Sequence, residues 1–183
     1  ATAVAAIVPR HVLGGPRHVP PSEKITLAYV GCGTQGFRQI VGALNSPDLN
    51  IVAVCDPNRA SDDYPDYGID ELNNTVRKFL EDPNWAKGAR GAWCGREPGQ
   101  QIVNRHYAKA NRSGKPGACR AYADYREMLE KEKSLDAVYV MTPDHLHGVI
   151  AIQSMRQGKH VITHKPIANV LQEVRLARDT ARE

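Results

Sequence analysis

The chain has 183 residues, enough for one domain with a real hydrophobic core and short for two. Its 24 basic and 20 acidic residues leave a net charge of +4, and they are interleaved, with no stripe of Lys and Arg alternating with aromatics. This argues against a specific nucleic-acid surface. No apolar run approaches the roughly 18 residues that a bilayer span requires. The four cysteines, Cys32, Cys55, Cys94 and Cys119, stand far apart with no CxxC pair, which argues against zinc-ribbon or thioredoxin chemistry. Cys32 and Cys55 fall in apolar segments and read as small core residues. Whether Cys94 and Cys119 pair is left open by the sequence.

The opening ATAVAAIVP is small and apolar, and a Pro/Gly-rich stretch, HVLGGPRHVPPS, comes after it. With Ala rather than Met at position 1, residues 1–23 read as an arm or linker left after removal of a signal, or as a frayed end. Residues 24–183 read as the folded domain. Ile25–Val30 is an apolar strand entering Gly31-Cys32-Gly33-Thr34-Gln35-Gly36. Phe37, Ile40, Val41 and Leu44 then recur at helical spacing until Asn45-Ser46-Pro47. Asn50–Cys55 is a second strand, ending at Asp56-Pro57, so about the first 30 residues of the domain have the size of a parallel crossover.

Residues 59–118 are least regular. Asp70–Leu80 carries Leu72, Val76, Phe79 and Leu80 on one side of a helix, Gly88–Gly99 reads as loop, and Gln100–Ala110 as a helix closed by Ser113–Gly117. Sixty residues is long for one connection, so part of it is expected to be an insertion. Beyond it, Ala118–Tyr122 is a short strand, and Asp124 with Glu127 forms a capping pair for a helix to about Lys133. Leu135–Met141 is a buried strand, Leu146–Gln157 a helix stopped by Gly158, and His160–Thr163 a strand. A last helix covers about Asn169 to Arg182. Alternating strands and helices predict an α/β fold, a doubly wound parallel sheet of Rossmann type covered on both faces.

Gly31, Gly33 and Gly36 match G-x-G-x-x-G. The pattern alone is weak, but here a strand precedes it, a helix succeeds it, and Asp56 stands twenty residues beyond Gly36 at the end of the next strand. The first glycine makes the tight turn, the second lets the backbone approach a pyrophosphate, and the third lets helix and strand pack closely. The helix start at Thr34 and Gln35 supplies free amides and the positive end of a dipole. Asp56 can accept hydrogen bonds from both hydroxyls of an adenosine ribose and would repel a 2′-phosphate. NAD is therefore expected over NADP, with nearby Arg59 the residue that could accommodate the phosphate. The bland alternatives are a Gly-rich turn without a ligand and a turn-forming Asp before Pro57.

Two further strand ends carry polar clusters, Thr142-Pro143-Asp144-His145-Leu146-His147 and His164-Lys165-Pro166. In a doubly wound sheet they lie on the same edge as the Gly-rich loop. His145 with His147, and His160 with His164, make no standard ligand spacing, so no metal is expected.

The Gly-rich loop, TPDHLH and GKHVITHKP at 158–166 together resemble the N-terminal domain of the Gfo/Idh/MocA oxidoreductase family, from about Lys24 onward apart from 59–118. Family members are NAD(P)-dependent enzymes acting mainly on sugars and polyols. By that resemblance Lys165 corresponds to the lysine of the family's E-K-P motif, which bonds the reacting hydroxyl near the nicotinamide. Thr142, Pro143 and His147 correspond to its T-P-x-x-x-H pattern along the nicotinamide. Lys165, His164 and His147 are thus the catalytic candidates, and Gly31, Gly33, Thr34, Gln35, Gly36, Asp56, Arg59, Thr142, Pro143, His147 and Lys165 the cofactor-binding ones. His164 stands where the family usually has Glu, which removes a carboxylate contact to the cofactor. An exported branch of the family carries His there, and IVPRHVLGG resembles the stretch just after a twin-arginine signal in such members. A periplasmic location is therefore expected, with the cytoplasm as alternative.

The resemblance further implies a C-terminal α/β substrate domain, absent here, and a homo-oligomer when the protein is full-length. It implies hydride transfer between a sugar or polyol carbon and the nicotinamide, with a glycosidase using transient oxidation as one alternative. The other, suggested by His164, is a non-catalytic dinucleotide-binding protein.

Overall fold

The computed structural model describes residues 19–20, 23–109 and 119–183. Most of the arm expected over 1–23 lies outside the described residues, as do the expected turn at Ser113–Gly117 and the ends of its flanking elements. Five strands form one parallel sheet in the order β5-β2-β1-β6-β7: β1 Ile25–Val30, β2 Leu49–Cys55, β5 Arg120–Tyr122, β6 Ala137–Val140 and β7 His160–Thr163. Val30 pairs with Cys55 and with Val140, Cys55 with Tyr122, and Val140 with Thr163. All five carboxyl ends are therefore level, and every loop that leaves a strand does so from one edge.

Because successive strand residues point to opposite faces, β1 serves two cores. Leu27 and Tyr29 pack with Phe37, Ile40, Ile51, Leu72 and Ile102, while Ala28 and Val30 pack with Met128, Leu129, Val138, Val140 and Ile150. Helices α1 (Thr34–Leu44), α2 (Glu71–Leu80) and α3 (Arg96–Lys109) supply the first core, and α4 (Tyr125–Lys131) and α5 (His147–Arg156) the second. Each fully buried Leu, Ile or Phe contributes about 1.5–3 kcal/mol. At the irregularity in the β1–β2 ladder the Ile51 amide donates to Tyr107 Oη of α3 at 2.8 Å. The last helix, α6 (Leu171–Thr180), packs on α5.

The strands and helices fall where the hydrophobic periodicity puts them, with three differences. Gly88–Gly99 is not loop throughout: Ala92–Cys94 forms β4, antiparallel to β3 (Ser61–Tyr64), and α3 begins at Arg96. Gly91 and Gly95 serve close packing there. A Cβ on Gly91 would lie 2.6 Å from the Tyr64 carbonyl oxygen, and one on Gly95 2.8 Å from that of Arg59. Since α3 packs on β2, it is the helix that covers the sheet between β2 and β5, and β3, α2 and β4 lie in the connection before it. Second, a 3₁₀ turn at Asp144–Leu146 precedes α5. Third, the cover over β7 is incomplete: Ile162, paired with Tyr139 and so on the first face, is 49% exposed.

Two expected helix signals are realised. Asp124 caps α4 through the Arg126 amide at 2.8 Å, although Glu127 bonds Lys131 instead of reaching back. Gly158 ends α5 at φ +73°, a conformation that costs glycine little. No helix among the described residues is long and apolar enough to cross a membrane.

Candidate functional site

The Gly-rich loop joins β1 to α1 at the level strand ends. Gly31 has φ +100°, and its amide donates to the Cys55 carbonyl at 2.8 Å. A Cβ there would lie 2.5 Å from the carbonyl carbon and oxygen of Met141 and 2.7 Å from the Thr142 nitrogen. A Cβ on Gly36 would overlap the Gly31 carbonyl oxygen. Two of the three glycines are thus required because backbone meets backbone.

Helix α1 begins without a side-chain cap or an acidic residue in its first turn. Its first amide bond runs from Phe37 to the Gly33 carbonyl at 3.0 Å, and the amides of Thr34, Gln35 and Gly36 meet no acceptor among the described residues. Free amides at the positive end of a helix dipole form an anion site.

Asp56 sits at the end of β2, 8% exposed. Its Oδ2 accepts from the Cys32 amide at 2.7 Å and its Oδ1 from the Asn58 amide at 2.8 Å. A carboxylate has about four acceptor positions, so two remain for a ribose diol. Arg96 Nη1 fixes the next turn by donating to the Pro57 carbonyl at 2.8 Å. Arg59, by contrast, is largely exposed and paired with Glu97 at 2.6 Å.

Beyond β6 and β7 stand the polar clusters. Thr142 Oγ1 is buried and has no partner among the described residues, an orphaned hydroxyl beside the glycine loop. Pro143 and Lys165 are exposed, His164 is half-buried, and the His164 amide donates to the Val140 carbonyl at 3.1 Å. Lys165 has no ion-pair partner among the described residues. His147 is fully buried, with Nδ1 2.6 Å from the Pro166 carbonyl oxygen and Nε2 2.7 Å from that of Thr142. Its ring ties the two turns together and presents no surface to solvent.

The structure therefore brings the glycine loop, Asp56, Thr142, Pro143, His164 and Lys165 to one edge of the sheet, with His147 behind them and Arg59 engaged elsewhere. The cysteines are free and buried, and burial pushes the thiol pKa values of Cys55, Cys94 and Cys119 up to about 12. Cys94 and Cys119 do not form a disulfide. Sequence reasoning missed the antiparallel β3–β4 pair, beside which the chain docks on the loop: the Gly95 amide donates to the Cys32 carbonyl at 2.9 Å. SDDY has no apolar alternation, and only the paired glycines at 91 and 95 hinted at close packing.

Level strand ends, an uncapped glycine-rich helix start and an acid closing β2 define a dinucleotide-binding Rossmann domain. The residues fit such a group: a Cβ would fill the glycine cradle, and the buried Thr142 hydroxyl lacks a partner among the described residues. Residues 92–183 match the GFO_IDH_MocA family model, described as "Oxidoreductase family, NAD-binding Rossmann fold", and the chain belongs to that family.

Among its relatives is a dTDP-3,4-didehydro-2,6-dideoxy-alpha-D-glucose 3-reductase of Streptomyces violaceoruber, 32% identical over 82 residues (45% of this chain, 24% of the relative). Glycosyl hydrolase family 109 protein 1 of Shewanella sp. strain ANA-3 is 24% identical over 163 residues (88% of this chain, 27% of the relative). The scyllo-inositol dehydrogenase of Lactobacillus casei, solved with NAD(H) and scyllo-inositol, shares the fold at a TM-score of 0.53 and 16% identity, over 87% of this chain and 33% of that one. The chain thus spans about a quarter to a third of the length of these proteins.

Proposed function

We propose that this chain is the NAD-binding part of an oxidoreductase that acts on a hydroxyl of a sugar or polyol. The observation that carries the reading is the common edge on which the free amides of Thr34, Gln35 and Gly36, the Asp56 carboxylate, the orphaned Thr142 hydroxyl and the exposed Lys165 meet. When bound, the nicotinamide supplies a hydride acceptor. The loop amides hold the pyrophosphate, and Asp56 takes the ribose diol and disfavours a 2′-phosphate. Arg59 pairs with Glu97 at the surface, both side chains well exposed. Thr142 and Pro143 line the nicotinamide side.

Lys165 bonds the substrate hydroxyl and eases loss of its proton, with a further base contributed from outside this chain. His147 positions Thr142 and the Lys165 turn instead of touching substrate. The named substrates of relatives, a dTDP-deoxysugar and scyllo-inositol, support the substrate class. In the full-length protein, Lys165→Ala should cut turnover by about 100-fold or more while calorimetry shows NAD affinity close to that of the parent. Parental turnover would sink the assignment of Lys165.

A second reading is favoured by the family 109 relative, whose match covers 88% of this chain. There the same site would oxidise and re-reduce the sugar around an elimination step. Release of free sugar from a glycoside without net NADH supports that reading, and stoichiometric NADH supports the first.

A further inference from the structure

The antiparallel β3–β4 pair has no part in the site as described, yet it lies on the glycine-rich loop. A Cβ on Gly33, the second glycine, would stand 3.3 Å from Cε1 of Tyr64 and 3.7 Å from its Cδ1. The ring therefore rests against the backbone where a larger residue at 33 would displace it. Tyr64 Oη accepts from Asn58 Nδ2 at 3.0 Å, and the Asn58 amide donates to Asp56 Oδ1 at 2.8 Å. One run of contacts thus leads from the ribose acid to the second glycine.

Within that run Oη serves as acceptor only, and its own proton meets no acceptor among the described residues. Burial pushes the pKa of the half-buried Tyr64 phenol up, the Asn58 bond offsetting part of the rise, so the group keeps its proton at neutral pH and remains a donor. Its position is held from three sides: Gly91 admits the Tyr64 carbonyl, Gly95 admits the Arg59–Ala60 backbone, and β4 pairs with β3.

We propose that Tyr64 is a further cofactor-binding residue, whose Oη–H donates to the ribose–pyrophosphate segment of the dinucleotide and whose ring walls that segment from solvent. The inference rests on the dinucleotide reading above. It assigns to the connection between β2 and α3 a direct part in binding: β3 carries a donor to an edge that Asp56 furnishes with acceptors.

The test is calorimetry of the full-length protein and its Tyr64→Phe and Tyr64→Ala variants with NAD⁺ and with ADP-ribose, alongside melting temperatures. Loss of one hydrogen bond to a charged or diol group should weaken both ligands about 5- to 30-fold in Tyr64→Phe, with melting lower by no more than the roughly 1–6 °C that loss of the Asn58 bond explains. Tyr64→Ala should weaken them at least as much. Should it fail to fold, Tyr64→Phe still decides. Parental affinity of Tyr64→Phe for both ligands overturns the assignment alone. Tighter binding by Tyr64→Ala overturns it too, by showing that the ring occupies the ligand's place. If the unmodified protein binds neither ligand, the dinucleotide reading falls and takes this inference with it.

Discussion

Replacing Gly31 by alanine sets a methyl group against the Met141 and Thr142 backbone, 2.5 Å from the Met141 carbonyl atoms and 2.7 Å from the next nitrogen. Neither neighbour can rotate away, because both belong to the main chain where β6 ends. The φ of +100° adds strain of about 1–3 kcal/mol for a residue bearing Cβ, and forced overlap in a packed interior adds about 1–3 kcal/mol. The sum, about 2–6 kcal/mol, corresponds to a melting point roughly 4–24 °C lower for a domain of this size.

Gly42 provides the control. It lies in α1 with nothing within 4 Å of its Cβ position, so alanine there should stabilise by about 0.5–1 kcal/mol. Thermal denaturation followed by circular dichroism measures both. Below the variant's transition, Gly31→Ala should also weaken NAD by about tenfold or more, since Thr142 is pushed off the loop. Melting of Gly31→Ala within about 1 °C of the parent would refute the close-packing argument.

Glu132 is 1% exposed, accepts from Tyr122 Oη at 2.5 Å and pairs with Arg120. Because the Arg120 left behind is exposed, Glu132→Ala should cost about 1–3 kcal/mol in urea denaturation, mainly through the stranded Tyr122 hydroxyl, and Tyr122→Phe should cost less, because the Arg120 pair survives. Asp136 accepts from the Thr26 hydroxyl and amide at 2.6 and 2.7 Å, which holds its carboxyl below the usual range. A lowered folded-state value means that its contribution is complete above the unfolded-state value and disappears as acid carries the pH down through the folded one. Asp136→Asn should therefore be less stable than the parent near neutral pH, with the gap narrowing as the pH falls below the ordinary aspartate value of about 3.9 in pH-dependent melting.

The sheet was legible because its strands are apolar runs separated by helices of clear period, and β1 is buried on both faces. The glycine loop was legible because close backbone packing restricts residue type at fixed spacing, and the place of Asp56 at the end of β2 was legible from the apolar run before it. The β3–β4 pair was not. Ser61-Asp62-Asp63-Tyr64 carries polar side chains, and its fold depends on the glycines at 91 and 95, whose use appears only when Tyr64 and Arg59 arrive from elsewhere. His147 was marked for its motif, but sequence could not show that both ring nitrogens face main-chain carbonyls. That arrangement depends on Pro166, nineteen residues away.

The imidazole of His147 works as a rivet through two separate turns, one ending in Thr142 and the other containing Lys165. Sliding either turn along the sheet edge pulls on the ring and so on the other. The spacing between the Thr142 and Pro166 carbonyls thereby becomes a property of one side chain's fixed width.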